Sequence, residues 1–284
     1  MAEVVTEILS HAAADGYPLK YRLFHANGET KATVVFVHGI QSHGGWYESS
    51  CKALAKAGYR VLFLDRRGSG LNESARGDSP SFRTLLDDLA GFIQDQRSQL
   101  PQTMKLYLGG ISWGGKIVLG LETRRPGLVD GFMLIAPGFC PKVQPSRKER
   151  IKIALSRVTN PRKLFNIPLN DPELFTANPV AQKFLREDPL ALRQATARFL
   201  LDSVRLDLYL RIFPRKVPAP VLLVLAGHDR IIDNEKTRKF VQATVSGPLQ
   251  VVEYPEAHHT LEFEPEPGRY IHDMIAWLDA RYNG

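Results

Sequence analysis

The chain has 284 residues, 44% of them hydrophobic, a formal net charge of +7 and two cysteines. That length and apolar content suffice for one large core, and no run approaches the roughly 20 apolar residues that span a bilayer. Met1-Ala-Glu-Val-Val-Thr-Glu7 lacks a basic stretch followed by an apolar one, and Cys51 and Cys140 fit no metal or redox spacing, so a cytoplasmic protein with free thiols is expected.

In chain order, Glu3–Ser10 and Pro18–His25 read as two strands joined through Asp15-Gly16, a hairpin signal. Buried strands are expected at Thr33–Val37, Arg60–Leu64, Met104–Gly109, Gly131–Ile135, Val221–Leu225 and Leu249–Tyr254. Helical patterns at Trp46–Ala57, Ser81–Gln99, Trp113–Thr123, Asn234–Thr244 and Tyr270–Tyr282 alternate with them. Apolar strands separated by helices predict an α/β fold, a mostly parallel sheet covered on both faces.

The alternation breaks once, between about residues 140 and 217, where eight prolines accompany helical patterns without a convincing strand. This predicts a helical cap, 140–217, inserted after the sixth strand into a core of 1–139 and 218–284. From Cys140 to Val217 there are 16 basic and 7 acidic residues, a net +9, whereas the remainder holds 21 and 23, a net −2. Such a surface suits an anionic membrane or a phosphorylated ligand, or serves only solubility. Ile151–Leu155 and Ala197–Leu201 supply apolar side chains for an acyl pocket or for the cap's own packing. No helix-turn-helix or aromatic-studded sheet accompanies the charge, so nucleic acid is not an expected partner.

The chemistry is carried by Gly110-Ile111-Ser112-Trp113-Gly114, a G-x-S-x-G run between a predicted strand and a predicted helix. A serine at so sharp a turn needs flanking residues without side chains, and the helix N-terminus faces the charge that acyl transfer develops. A serine hydroxyl needs a base, and the base an orienting acid. Asp229 follows the strand Val221–Leu225, and His258-His259 follow Leu249–Tyr254, so serine, acid and base lie on three loops at one sheet edge. Spacing does not separate His258 from His259. Asp233 suits a helix cap, and Asp130 precedes its strand at the opposite edge. The residue after the nucleophile, Trp113, and the loop His38-Gly39-Ile40 after an early strand offer the backbone N–H donors of Trp113 and Ile40 to an oxyanion. No histidine has metal-ligand spacing, so neither metal nor cofactor is expected.

Several motifs together resemble the α/β-hydrolase superfamily, from about residue 15 to the end but not across the cap. His38-Gly39-Ile40-Gln41-Ser42-His43 is similar to the HGxxxH segment of monoglyceride lipases and lysophospholipase-like enzymes. Asp65-Arg66-Arg67-Gly68-Ser69-Gly70 resembles their D-x-x-G-x-G loop, and Gly227-His228-Asp229-Arg230-Ile231 their acid loop. Ala257-His258-His259-Thr260-Leu261 with Glu264 matches their last motif, and this alignment selects His259 as base. The resemblance implies an eight-stranded α/β-hydrolase fold and a serine carboxylester hydrolase acting on a small-molecule, lipid-like monoester. It implies Ser112, Asp229 and His259 as triad. His38, His43 and Trp46 are substrate-binding candidates, although His43 better suits a structural hydrogen bond that holds the loop, and Trp46 also suits the opening of a helix. Arg66 and Arg67 are expected to fix loops through backbone carbonyls. The departure is Trp113: Gly-x-Ser-Trp-Gly is similar to proline iminopeptidases. An aminopeptidase of that kind, an acyl-thioesterase and a non-catalytic hydrolase-fold binding protein are therefore alternatives. Oligomeric state is not legible.

Overall fold

The computed structural model describes residues 3–282, so the outermost residues of the expected core, 1–2 and 283–284, lie outside the described residues. In chain order the first strands and helices are β1 (Thr6–Ala12), β2 (Pro18–Phe24), β3 (Ala32–Val37), α1 (Glu48–Lys56), β4 (Tyr59–Leu64) and α2 (Phe82–Ser98). Then come β5 (Leu106–Ile111), α3 (Gly114–Arg124) and β6 (Gly131–Ile135). After a long excursion the chain returns through β9 (Val221–Ala226), α7 (Asn234–Thr244), β10 (Leu249–Tyr254) and α8 (Gly268–Tyr282). The eight strands form one sheet in the order β1-β2-β4-β3-β5-β6-β9-β10, antiparallel only where β1 meets β2 and β2 meets β4.

Every residue of β3, β5, β6 and β9 is buried, which is why these segments read as unbroken apolar runs rather than alternating ones. One face is covered by α2 and α3 with Leu86, Phe92, Val118 and Phe132, the other by α1 and α8 with Leu54, Phe63 and Trp277. Each fully buried Leu or Phe stabilises the fold by roughly 1.5–3 kcal/mol. β10 differs from the expected buried strand: it is the sheet's edge and is only partly covered. Helix starts follow side-chain caps, Ser81 Oγ accepting from Thr84 N (3.1 Å) and Asp233 Oδ1 from Lys236 N (3.0 Å).

Between β6 and β9 the chain leaves the sheet and forms α4 (Arg147–Thr159), β7 (Leu164–Asn166), α5 (Pro179–Glu187), β8 (Gln194–Thr196) and α6 (Ala197–Ile212). The expectation of no strand here is corrected, because β7 and β8 pair antiparallel in a two-stranded ribbon. Three residues per strand are too few to show a period-two pattern. Isolated bridges from Pro141 to Ile232 and from Val217 to Val245 pin both ends of the excursion to the core. Parallel register brings the C-terminal ends of β3, β5, β6, β9 and β10 to one edge, and the loops carrying residues 38–46, 112, 229 and 259 leave from there.

Candidate active site

Ser112 follows β5 directly and has a left-handed backbone, φ 52°. Its N–H donates to Ile135 O (2.9 Å), and its carbonyl accepts from Gly115 N (2.9 Å) and Gly138 N (2.7 Å), which over-determines a conformation that costs a non-glycine residue 1–3 kcal/mol. A methyl group on Gly110 would come within 2.8 Å of Gly115 Cα and 2.9 Å of Gly114 O, so the first glycine of the motif is required by the closeness of the turn.

The structure places His259 Nε2 2.8 Å from Ser112 Oγ, and His259 Nδ1 2.7 Å from Asp229 Oδ2. A carboxylate only accepts, so Nδ1 carries the ring proton and the Nε2 lone pair faces the hydroxyl. The other oxygen, Asp229 Oδ1, accepts from Ile231 N and Ile232 N at 2.8 Å each, which fixes the carboxylate plane. Both side chains are buried, the acid fully. His258 is instead turned away. Its ring lies 5.7 Å from that of His228, 3.3 Å separates its Nδ1 from Glu264 Oε1, and its N–H donates to the same oxygen. On the far side Thr260 N donates to Phe175 O (2.9 Å), so the histidine loop is held at both shoulders. Asp130 lies at the opposite edge, bound to Arg97 and Leu106 N.

Among the described residues neither the Ile40 nor the Trp113 N–H is bonded to another backbone group. The loop carrying Ile40 abuts the serine, since a methyl group on Gly39 would stand 3.2 Å from Ser112 Cβ. His38 orients that loop. Its Nε2 accepts from Arg66 N (3.1 Å), so Nδ1 is the protonated nitrogen and donates to Gly39 O (2.8 Å). That carbonyl belongs to the same planar peptide as the Ile40 N–H, so the ring sets the direction of the donor.

His38 is fully buried, and desolvation, reinforced by the charge of Arg66, holds its pKa well below the ordinary 6.5. The unfolded chain therefore binds a proton that the folded one refuses, and stability falls as pH drops below 6.5, by about 1.4 kcal/mol per pH unit until the folded pKa is passed. Replacing His38 by Gln removes this component, so urea midpoints measured from pH 7.5 to 5.5 should slope less in the variant than in the parent.

The three residues expected to bind substrate are all buried. His38 is enclosed as described. His43 has both ring nitrogens engaged, Nδ1 by Gly45 N (3.1 Å) and Nε2 by Asp188 Oδ2 (2.9 Å). Trp46 donates Nε1 to the same oxygen (2.7 Å) and packs on Phe175, Phe184 and Phe263. Among the described residues the ring nitrogens of all three are hydrogen-bonded within the protein. Asp188, which joins α5 to β8, was not legible as a site residue. Burial pushes its pKa up, but hydrogen bonds from His43 and Trp46 outweigh this and hold it below the usual carboxylate value.

Arg66 bonds a carbonyl as expected, that of Ile40. Arg67 does not: it meets the carboxylates of Asp88 and Asp15 in forked pairs at 2.8–2.9 Å. Of the apolar stretches in the excursion, Ile151 and Leu155 are about 60% exposed, whereas Phe199 is buried with its ring 5.4 Å from that of Trp113. Trp113 Nε1 also donates to Ser203 Oγ of α6 (2.8 Å), and Lys142 Nζ donates to the Asp229 carbonyl (2.7 Å). No group of three or more His, Cys, Asp or Glu among the described residues is arranged to hold a metal ion, and none of their helices is long and apolar enough to cross a membrane.

A hydroxyl, an imidazole and a buried carboxylate in this chain of hydrogen bonds can perform acyl transfer. Comparison with known proteins agrees. Residues 28–266 match the family model Hydrolase_4, serine aminopeptidase S33. The chain is 27% identical to monoglyceride lipase of Homo sapiens over 277 residues, covering 94% of this chain and 89% of that protein. It is 26% identical to monoacylglycerol lipase of Mycolicibacterium smegmatis over 287 residues, 95% of each. A soluble variant of monoglyceride lipase from Saccharomyces cerevisiae, solved with a substrate analogue, superposes with a TM-score of 0.85 at 20% identity, over 99% of this chain and 96% of that one.

Proposed function

This chain belongs to the serine aminopeptidase S33 family of α/β-hydrolases, and we propose that within it the protein is a carboxylester hydrolase for lipid-like monoesters of the monoacylglycerol or lysophospholipid type. The observation that carries the reading is the continuous relay from Ser112 Oγ through His259 to Asp229. In it, His259 Nε2 removes the hydroxyl proton as Ser112 Oγ attacks the ester carbonyl. The Trp113 N–H at the N-terminus of α3 and the Ile40 N–H on the loop after β3 receive the oxyanion. The tetrahedral intermediate collapses as His259 protonates the departing alkoxide. Water, activated by the same imidazole, then releases the acid from the acyl-enzyme. The near-full-length similarity to monoglyceride lipases supports the ester class.

Residues 140–217 act in this reading as a cap that meets a lipid surface. Ile151, Leu155 and Val158 recur along α4, and Val204, Leu208 and Ile212 along α6, all at helical spacing and all exposed. Arg147, Lys148, Arg150 and Lys152 flank the first stripe and are exposed as well. Apolar stripes edged by cations suit an anionic bilayer, to which each basic residue near the surface adds about 1 kcal/mol. The protein then works from the cytoplasm, with Cys51 and Cys140 free.

The second reading is an aminopeptidase, favoured by the family's description. Such an enzyme must bind a free α-ammonium, and a cap region of net +9 is a poor environment for one. A hydrolysis panel with a Ser112→Ala control tests both readings. It contains nitrophenyl esters of increasing chain length, a monoacylglycerol and a lysophospholipid in anionic or zwitterionic vesicles, an acyl-coenzyme A and a prolyl amide. The expected result is Ser112-dependent turnover highest on a lipid monoester, faster on anionic vesicles and slowed by salt. Preference for the prolyl amide overturns the ester reading but keeps the triad, and absence of Ser112-dependent turnover leaves a binding protein.

A further inference from the structure

Arg66 is a buried cation that forms no salt bridge among the described residues, and the charge of Asp65 beside it only partly offsets its burial. It is 4% exposed, and among the described residues no carboxylate oxygen lies within 4.0 Å of its guanidinium. The contrast with Arg67 beside it, equally buried but clasped by two carboxylates, is sharp. Arg66 instead lies between two aromatic rings, its guanidinium carbon 5.1 Å from the centre of Trp113 and 5.0 Å from that of Phe199. Nη2 donates to the Ile40 carbonyl, while Nε and Nη1 are buried without a hydrogen-bond partner among the described residues. Removing a guanidinium from water costs several kcal/mol, and leaving two donors unpaired adds to that cost. Cation–π contacts with the two rings offset part of that cost. Burial pushes the pKa down to about 9, so the group still carries its charge at neutral pH.

The three groups that Arg66 touches define its place. Ile40 carries one expected oxyanion donor and Trp113 the other, and Phe199 opens α6, whose Ser203 also binds Trp113. We propose that Arg66 is a positioning residue for hydrolysis, fixing the Ile40 and Trp113 segments against each other and setting a positive charge, not bonded to any acid, beside the place where the oxyanion forms. In a desolvated site that field favours the anionic tetrahedral intermediate over the neutral ester, so it acts on kcat more than on KM. The inference rests on the ester-hydrolase reading. It adds that the aromatic residue after the nucleophile is selected to hold a cation.

The test compares the full-length parent with Arg66→Met, Arg66→Lys and Phe199→Leu, using a soluble nitrophenyl ester and normalising rates to active sites titrated with a fluorophosphonate. Arg66→Met should lower kcat by about tenfold or more with KM within threefold, and weaken an alkyl boronic acid, which forms an anionic tetrahedral adduct, by the same factor. Arg66→Lys should recover part of both, since the charge returns without the planar fork. Phe199→Leu, which removes one face of the stack, should lower kcat severalfold and supports the reading even where Arg66→Met does not fold. Rates per titrated site within twofold of the parent in the variants that fold, or boronate affinity that does not follow kcat, overturn the inference. A parent with no Ser112-dependent esterase activity overturns the underlying functional reading instead.

Discussion

Ser112→Ala should lower kcat by about 10⁴–10⁶-fold while leaving the protein folded, because the hydroxyl serves chemistry and not packing. Among the described residues its side chain bonds only His259 Nε2, and the backbone bonds that hold the turn come from Ile135, Gly115 and Gly138. What remains should be the modest acceleration over water that an oxyanion site and substrate binding supply without a nucleophile. The alanine variant should keep the left-handed backbone that Ser112 has in the parent, φ 52°. Ser112→Gly should differ from it in one respect. Glycine adopts this conformation without steric cost, so the variant should be equally inactive yet about 1 kcal/mol more stable in urea than the alanine protein. Equal stability of the two variants would show that the strained elbow is relaxed by its surroundings. Residual kcat above about one hundredth of the parent would remove Ser112 from the nucleophile's place.

The same turn shows why parts of this site were legible before any coordinates. Ser112, Asp229 and the histidine pair each sit just beyond a strained or buried strand end, and the strands declare themselves as apolar runs, so sequence order alone places three loops at one edge. Spacing leaves His258 and His259 open, and the resemblance of the motif ending on Glu264 is what selects His259. Glu264 accepts from the His258 N–H, and Phe175, supplied by the excursion, accepts from Thr260 N, and together they turn the second ring inward. Asp188 was not legible. It lies 145 residues from His43 in a proline-broken segment, where one carboxylate among several carries no signal of its own. The buried hydrogen bonds of His38, His43 and Trp46 were not legible either, because a polar residue beside such a loop can face substrate or hold the loop in place. Arg67 illustrates the limit from the other side: an arginine predicts paired acceptors but not whether they are carbonyls or, as here, Asp15 and Asp88.

Asp229→Asn should cost about 10⁴-fold in kcat with little change in stability, because it alters which way one proton points. In the parent the two carboxylate oxygens divide their work, Oδ1 toward Ile231 N and Ile232 N, Oδ2 toward His259 Nδ1. An asparagine can keep the first pair only by placing its carbonyl oxygen there, which turns its NH₂ group toward the imidazole. A donor facing Nδ1 stabilises the tautomer protonated on Nε2, and that proton then occupies the position from which the Ser112 hydroxyl must be deprotonated. The imidazolium of the transition state also loses its counter-charge. Asp229→Ala should be comparably inactive for a different reason and visibly less stable. It strands the Ile231 and Ile232 N–H groups in a buried loop, at about 1–3 kcal/mol for each unpaired group. Measuring kcat and urea midpoints for both variants separates the two roles of this side chain. Inactivity shared by both, with destabilisation confined to alanine, is the expected pattern. An asparagine variant that unfolds as readily as alanine would mean that the negative charge itself holds the loop, and that the histidine's tautomer is fixed by something other than Asp229.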